Sequence, residues 1–386
     1  MSGIITGLGL RNFKCFRSLD LQLARFTLLA GLNSMGKSSV IQSLLLLRQS
    51  RQSGALAAGR LDLSGDYLEL GTGIDVLSDG AEKDEIGIAI QNEDAGNNYL
   101  WPLVFSYDRD GDRLEMTENT LFDVSGVNAP QFEPNDLNFL PFEGDFHYIS
   151  ADRFGPKKTS PLSESRVQSR DFGIRGEYVL HFILSHGTDL LAEGDPRAVG
   201  TETLSMSSVT DMWLQDISPG SHLSIAMIRE ADAAIPSFQF NRPGDVATRA
   251  FRPSNVGFGL SYVLPVIVSL VAARPYSLVM IENPEAHLHP KGQTRLGQLA
   301  VRAAAAGVQV IIETHSDHFM DGARIEIRNK TLSPSRAVFH YFQKTDGEAT
   351  AVTPSIDSEG RLSDWPSGFF DQHRQNTSAL IKPQRS

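Results

Sequence analysis

Apolar and polar positions take turns at the start of the chain. In "ITGLGLRNFKCF", and again in "SLDLQL" with Leu19, Leu21 and Leu23 on one face, the alternation is that of half-buried strands. "FTLLA", residues 26–30, replaces alternation with a continuous apolar run. A strand covered on both faces reads this way, and a parallel sheet supplies such a position. After a glycine-containing loop the spacing becomes helical through Val40, Ile41, Leu44, Leu45 and Leu47, and the pattern ends in the polar "RQSRQSG". The order is strand, loop, helix.

From about Gly54 to Ala250 the pattern is mixed. "EIGIAI", "YLWPLVFSY" and "FHYIS" read as strands, "GPKKTSPLSESRVQSRD" as a polar loop, "GEYVLHFILSHG" and "SSVTDMWLQDI" as helices, and "HLSIAMI" and "SFQF" as further strands. No fixed-period repeat or sustained heptad appears, so a solenoid and a long coiled coil are not expected. From Phe251 the signal sharpens. "NVGFGLSYVLPVIVSLVAA" is a glycine-rich turn followed by a helix, "SLVMI" a buried strand, "PKGQTRLGQLAVRAAAAG" a helix closed by glycine, and "VQVIIE" a second buried strand. Strands alternating with helices predict an α/β layer with a parallel sheet. "AVFHYFQKTDGEATAVTPS" then reads as a polar hairpin.

Composition narrows the class. With 386 residues, 41% hydrophobic and 21% charged, the chain is expected to be a soluble globular protein large enough for two subdomains. Its longest apolar run, "YVLPVIVSLVAA", is too short to span a bilayer and contains a proline, and no signal region is read, so a cytoplasmic location without membrane contact is expected. The one cysteine, Cys15, reads as a small buried hydrophobe and excludes an internal disulfide. A net charge of -11 argues against nucleic-acid binding by bulk electrostatics. Local basic groups remain at Arg48 and Arg51 and from Lys157 and Lys158 through Arg166, Arg170 and Arg175, each expected to be a solvated face.

The loop after "FTLLA" carries the candidate chemistry. "GLNSMGKSS" fits GxxxxGKS: Gly31 and Gly36 allow the backbone to approach phosphate oxygens, so that amides from Asn33 through Ser34, Met35 and Gly36 to Lys37 can form an anion nest at a helix N-terminus. Lys37 is expected to reach the β and γ phosphates, Ser38 to offer its hydroxyl to a magnesium ion, and Ser39 to bond the α phosphate of ATP. Met35 is expected to pack against the loop or touch a base.

A magnesium nucleotide also needs acids at a neighbouring strand end. "SLVMIENPEAHLHP" ends its strand at Glu282, the candidate metal ligand, with Glu285 three positions on; "VQVIIETHSDH" places Glu313, Thr314 and His315 after the next strand, where His315 can bond a γ phosphate. Two other readings of this region are a zinc site made from His287, His289, His315 and His318, which lacks an accompanying cysteine or HExxH pattern, and a Ser316, Asp317, His318 triad, whose adjacent members seldom face one another.

Taken together, these residues resemble the ABC-like ATPases of the SMC, RecF and OLD type. "LRNFKCFRSLDLQLARFTLLAGLNSMGKSS" is similar to their N-terminal strand pair and Walker A loop, "MIENPEAHLHP" to Walker B and D-loop, and "IIETHSDH" to the switch-histidine region. "SADRFGP", "NVGFGLSYVLP" and "DWPSGFFDQ" resemble a bacterial subgroup of stand-alone AAA-type proteins with a C-terminal domain of unknown function. The resemblance implies an α/β, ABC-ATPase-like head. A central mainly parallel sheet flanked by helices would carry an antiparallel β-rich N-terminal part and an inserted mixed α/β region. The divisions would be an N-terminal lobe at 1–53, an insert at 54–250, a C-terminal lobe at 251–330 and a hairpin and tail at 331–386. It further implies a homodimer or higher assembly, in which Gly257, Gly259 and Ser261 of one copy meet the γ phosphate held by the other.

Departures accompany the likeness. Where a catalytic glutamate is usual stands Asn283, which cannot accept a proton, so Glu285 is expected as the base; no glutamine is assigned to the magnesium-contacting loop. The nuclease domain of OLD proteins has no room after His315, so "DSEG" is expected to be a turn. The expected function is an ATP-hydrolysing dimeric switch acting on DNA or on a partner effector, a nuclease or toxin, in bacterial phage defence. The alternative is a nucleotide-stabilised scaffold with little turnover.

Overall fold

The computed structural model describes residues 3–94, 96–125, 145–242, 246–345 and 347–364, with residues 376, 377, 380 and 381. The chain opens with β1 (Ile4–Phe13), β2 (Phe16–Gln22), β3 (Phe26–Gly31) and α1 (Lys37–Gln52), and continues through β4 (Arg60–Asp62), α2 (Gly73–Val76), β5 (Glu85–Asp94), β6 (Asn97–Ser106) and β7 (Arg113–Thr117). Next come β8 (Phe146–Ile149), β9 (Ser160–Pro161), α3 (Glu164–Gln168), α4 (Val179–His186), α5 (Met206–Ile217), β10 (Ser221–Ile228), β11 (Ala233–Arg242) and β12 (Val246–Ala247). The remainder is α6 (Phe258–Ala272), β13 (Leu278–Glu282), α7 (Pro290–Ala305), β14 (Gln309–Glu313), α8 (Asp317–Arg328), β15 (Ala337–Thr345) and β16 (Glu348–Val352).

The central sheet runs β16-β15-β3-β14-β13-β8, and every pairing from β15 to β8 is parallel. Its continuous apolar strands feed two cores. Phe26, Leu28, Ala30, Val279, Ile281, Val310 and Ile312 face the helices α4 to α8, whereas Leu29, Met280 and Ile311 face α1 and the antiparallel sheet β2-β1-β5-β6-β7-β4. Alternate residues of one strand thus enter different cores, which is why these strands are mostly apolar instead of alternating. A third sheet, β10-β11-β12 with β9 beside β11, packs against α4 and α5. Residues 54–250 supply strands to all three sheets.

α1 ends within the polar "RQSRQSG", at Gln52, as expected; Gln49 donates to the Asp62 carbonyl at 2.8 Å and Ser50 accepts from the Asp62 amide at 2.8 Å, tying this last turn to β4. Several sequence expectations change in detail. The loop "GPKKTSPLSESRVQSRD" contains β9 and α3. The C-terminal hairpin forms, yet β15 is not simply polar: Val338 to Phe342 are buried and the strand lies parallel to β3 in the central sheet. Helix α8, which the pattern did not announce, starts where Ser316 accepts the Phe319 amide at 2.9 Å. Arg170 is not a solvated cation but is 8% exposed, donating to the Ala272 carbonyl and pairing with Asp145 and Asp189. Asp357 and Gly360 of "DSEG" close a turn. No helix among the described residues is long and apolar enough to cross a membrane. "DWPSGFFDQ" lies, beyond Asp364, outside the described residues.

Candidate nucleotide-binding site

β3 delivers the chain to the edge of a cleft of about 680 Å³. Gly31 leaves the strand at φ 140° with the Phe342 carbonyl of β15 against its Cα, a place no side chain could occupy. Gly36 turns the loop into α1 at φ 94°, and an added Cβ would strike the Phe16 ring and lie 2.7 Å from Cys15 Sγ. Both glycines are therefore required by dihedral and by space. Between them Asn33 and Ser34 are exposed to the cleft, while Met35 packs on the core beneath the loop. Ser39 is buried, 4.0 Å from Cys15 Sγ.

Lys37 is only 3% exposed and curls back into the loop, donating from Nζ to the carbonyls of Gly31 at 3.0 Å and Leu32 at 2.7 Å. Burial lowers its pKa, against the pull of Glu313 and Glu285. Ser38 donates to Glu313 Oε1 at 3.0 Å. Glu313 is 5% exposed, and its other oxygen, Oε2, is buried without a hydrogen-bond partner. Burial, and after it the charge of Glu282, pushes the Glu313 pKa up to about 7, with Ser38 and Lys37 opposing.

Glu282 stands in register with Glu313 across the parallel β13 and β14. It accepts from the Ala151 amide at 3.3 Å and from the Tyr148 hydroxyl, and burial raises its pKa. Beyond it Asn283 adopts φ 44°, and the carbonyls of Glu282 and Asn283 are both held by the guanidinium of Arg153. Glu285 uses both carboxylate oxygens on the switch segment, accepting from Thr314 Oγ1 at 2.7 Å and from the His315 amide at 2.7 Å. The His315 ring lines the cleft and bonds the Gly31 backbone; partial burial and then Lys37 lower its pKa.

The structure thus brings the 31–39 loop, Glu313 and His315 into one cleft, with Glu282 one strand away and Glu285 behind the switch segment. Gly257, Gly259 and Ser261 lie elsewhere. Gly257 opens onto free space at the start of α6, Gly259 packs under the His287 carbonyl, and Ser261 lines a narrow crevice beside Phe154 and Leu264. Phe258, 57% exposed, leans on Tyr262 and His287. The histidines weighed for zinc are likewise separated in role: His289 caps α7 through the Lys291 amide, and among the described residues no three His, Cys, Asp or Glu side chains gather around a common point. Oxygen donors from Ser38, Glu282 and Glu313 fit a hard cation such as magnesium, which takes few protein ligands and completes its shell with phosphate and water.

Sequence reasoning gave no role to Glu313 or Arg153. Position and type alone do not reveal them; the register of β13 against β14 and the burial of Arg153 do.

A family model described as "AAA domain, putative AbiEii toxin, Type IV TA system" matches residues 26–321. The chain belongs to this AAA family. A second, "Protein of unknown function (DUF3696)", matches residues 332–380. Among solved structures, the AAA chain is similar to an SMC head bound to the C-winged helix domain of ScpA, with TM-score 0.51 and 15% identity over 92% of this chain and 98% of that one. It also matches an SMC head domain from Thermotoga maritima, with TM-score 0.44 and 11% identity over 90% and 98%. An SMC head with an extended coiled coil, bound to the C-terminal domain of ScpA, derived from Pyrococcus furiosus, matches with TM-score 0.49 and 13% identity over 98% and 100%. The first of these establishes an SMC-head-like, ABC-type ATPase fold for the AAA chain. No curated protein matches it.

Proposed function

We propose that this AAA chain binds ATP with magnesium and works as a nucleotide-driven switch between two copies of itself. The observation that carries this reading is the inward-curled, buried Lys37 at the tip of a parallel strand, with Glu313 and His315 lining the same cleft and Glu282 in register with Glu313 on the next strand. On ATP entry the ammonium would exchange the Gly31 and Leu32 carbonyls for β and γ phosphate oxygens, a stronger charge-assisted contact. Amides at the start of α1 would hold the remaining oxygens. Magnesium would be held by Ser38 with Glu282 nearby, and it supplies neutralisation of the phosphate charge. Hydrolysis to ADP and phosphate then removes the γ group that His315 and a facing copy contact.

The exposed Gly257 and Phe258 at the start of α6, which do not line the cleft of their own copy, support contact with a second copy. Glu285 is the proposed base, and in the described state it also fixes the His315 backbone. A scaffold with little turnover is favoured specifically by Asn283, an amide in the position where a proton acceptor is usual. A role in phage defence with a partner nuclease or toxin, or on DNA, rests on the family's description and on the partner-bound SMC heads that share the fold.

The test is calorimetry with a non-hydrolysable ATP analogue, joined to a size measurement with and without it. Lys37→Ala is expected to weaken binding by about 100-fold or more, and the analogue is expected to convert single copies to pairs. Equal affinity in parent and variant would remove the loop from the reading. Steady-state phosphate release separates switch from scaffold, and turnover that Glu285→Gln leaves unchanged would remove Glu285 from the mechanism.

A further inference from the structure

We propose that Glu313 is a second carboxylate of the magnesium-nucleotide centre, brought from the strand beside Glu282 and next to Ser38. The inference rests on the reading of the cleft given above and adds to it a residue for which the motif pattern has no slot.

Three observations converge. The first is register. β13 and β14 are parallel neighbours pairing Glu282 with Glu313, so both residues stand at the strand tips on the same face, their backbones about one strand spacing, roughly 4.8 Å, apart. The second is contact. Of the acids at these tips, Glu313 is the one bonded to Ser38, whose hydroxyl is the expected metal ligand, whereas Glu282 turns its oxygens to Ala151 and Tyr148 and Glu285 turns both of its own to Thr314 and His315. The third is an orphaned atom. Glu313 is 5% exposed and its Oε2 has no hydrogen-bond partner, an arrangement that costs stability and that a ligand in the adjoining cleft would relieve.

A purely structural role does not explain that orphan. Glu326, even more deeply buried at 1% exposed, is fully satisfied by Arg302 and Thr331. Lys37 sits close enough to Glu313 to feel its charge, yet gives its hydrogen bonds to backbone carbonyls. A cation placed between Ser38 Oγ and the free oxygen of Glu313 would satisfy the acid, and the hydroxyl would turn its lone pair to the ion. Magnesium accepts one or two carboxylates together with phosphate oxygens and water, which matches what the two strand tips offer.

Glu313→Gln in the full chain tests the assignment, with binding of a non-hydrolysable ATP analogue measured in EDTA and in magnesium. The parent is expected to bind more tightly with magnesium. In the variant, binding in EDTA is expected to tighten, because a negative charge beside the phosphates is gone, and the gain from magnesium is expected to shrink by about tenfold or more. Manganese substituted for magnesium gives a second readout: in the variant the sharp six-line spin-resonance signal of the free ion is expected to persist at concentrations where the parent has bound the ion and broadened the signal. A variant that keeps the parent's full magnesium gain and manganese spectrum would overturn the assignment while leaving the cleft reading intact. A parent that gains nothing from magnesium, or a Lys37→Ala variant that binds as the parent does, would overturn the cleft reading itself. Glu313→Asp, which keeps the charge and withdraws it, serves if the glutamine variant does not fold; the same loss of magnesium gain is expected, and full retention counts against the assignment.

Discussion

Two clusters of buried charge lie on opposite sides of this molecule, and they are built differently. At the C-terminal end of α6, Asp195 and Arg197 are each 5% exposed on their side chains and pair at 2.6 Å, and Arg197 also donates to the carbonyls of Leu270, Val271 and Ala273. Asp195 and Arg197 satisfy one another, and the last turn of the helix is closed by the arginine. At the tips of β13 and β14 the opposite holds: Glu313 Oε2, Asn283 Oδ1 and the Nε and Nη1 of Arg153 are buried without partners. Satisfied burial serves the fold. Buried atoms without hydrogen-bond partners also occur away from the cleft, at His147 Nε2, Arg170 Nε and Arg302 Nε; what sets the strand tips apart is that several gather beside one open cleft.

The comparison can be broken by removing Arg197. Arg197→Ala leaves Asp195 as an uncompensated buried anion and frees three carbonyls, so a loss of about 3–5 kcal/mol in unfolding free energy is expected. Nucleotide affinity of the folded fraction should not move. Denaturant unfolding and calorimetry check the pair, and a variant as stable as the parent would undo the contrast.

A pH experiment sharpens the structural side. His147 in β8 is fully enclosed, stacked on Phe172 at 4.9 Å, and burial lowers its pKa from 6.5 to about 4. Because the folded value lies below the unfolded one, the stability tied to the neutral ring is present above pH 6.5 and is lost as pH falls toward 4, reaching roughly 3 kcal/mol. His147→Phe is expected to flatten this acid limb in melting curves recorded between pH 7 and pH 4. Parallel curves for parent and variant would exclude it.

Arg153 lies between the two classes. It is 2% exposed, burial lowers its pKa to about 10, and it holds the carbonyls of Glu282 and Asn283 while two of its own nitrogens stay unpaired. Arg153→Ala is expected to cost about 1–3 kcal/mol and, unlike Arg197→Ala, to weaken nucleotide binding as well, since the turn after β13 loses its anchor. Binding equal to the parent's would place Arg153 with the fold alone.

The sequence was most readable where a signal was local. Gly31, Gly36, Lys37 and Ser38 declare their role within eight residues, and "FTLLA" declares a strand covered on both sides. Glu313 was unreadable because its meaning is the pairing of two strands some thirty residues apart. Arg170 read as surface charge and Arg153 had no role beyond its place in "SADRFGP"; the burial of both depends on carbonyls and carboxylates that only the packed chain assembles. "AVFHYFQKT" looked like a polar hairpin because His340, Gln343 and Lys344 interrupt it, and nothing nearby announces that β3 is its neighbour.

That last strand bears on how the protein is divided. The two family matches stop and start at residues 321 and 332, as though the second were an appendage. Yet β15 belongs to the second match and is hydrogen-bonded along the whole of β3, with the Phe342 carbonyl lying against Gly31. A chain cut between the two would not yield a trimmed motor; it would strip one flank from the strand that carries the phosphate loop and bare its backbone to aggregation. The two segments therefore share one sheet, and the region of unknown function forms in part a wall beside the glycine loop.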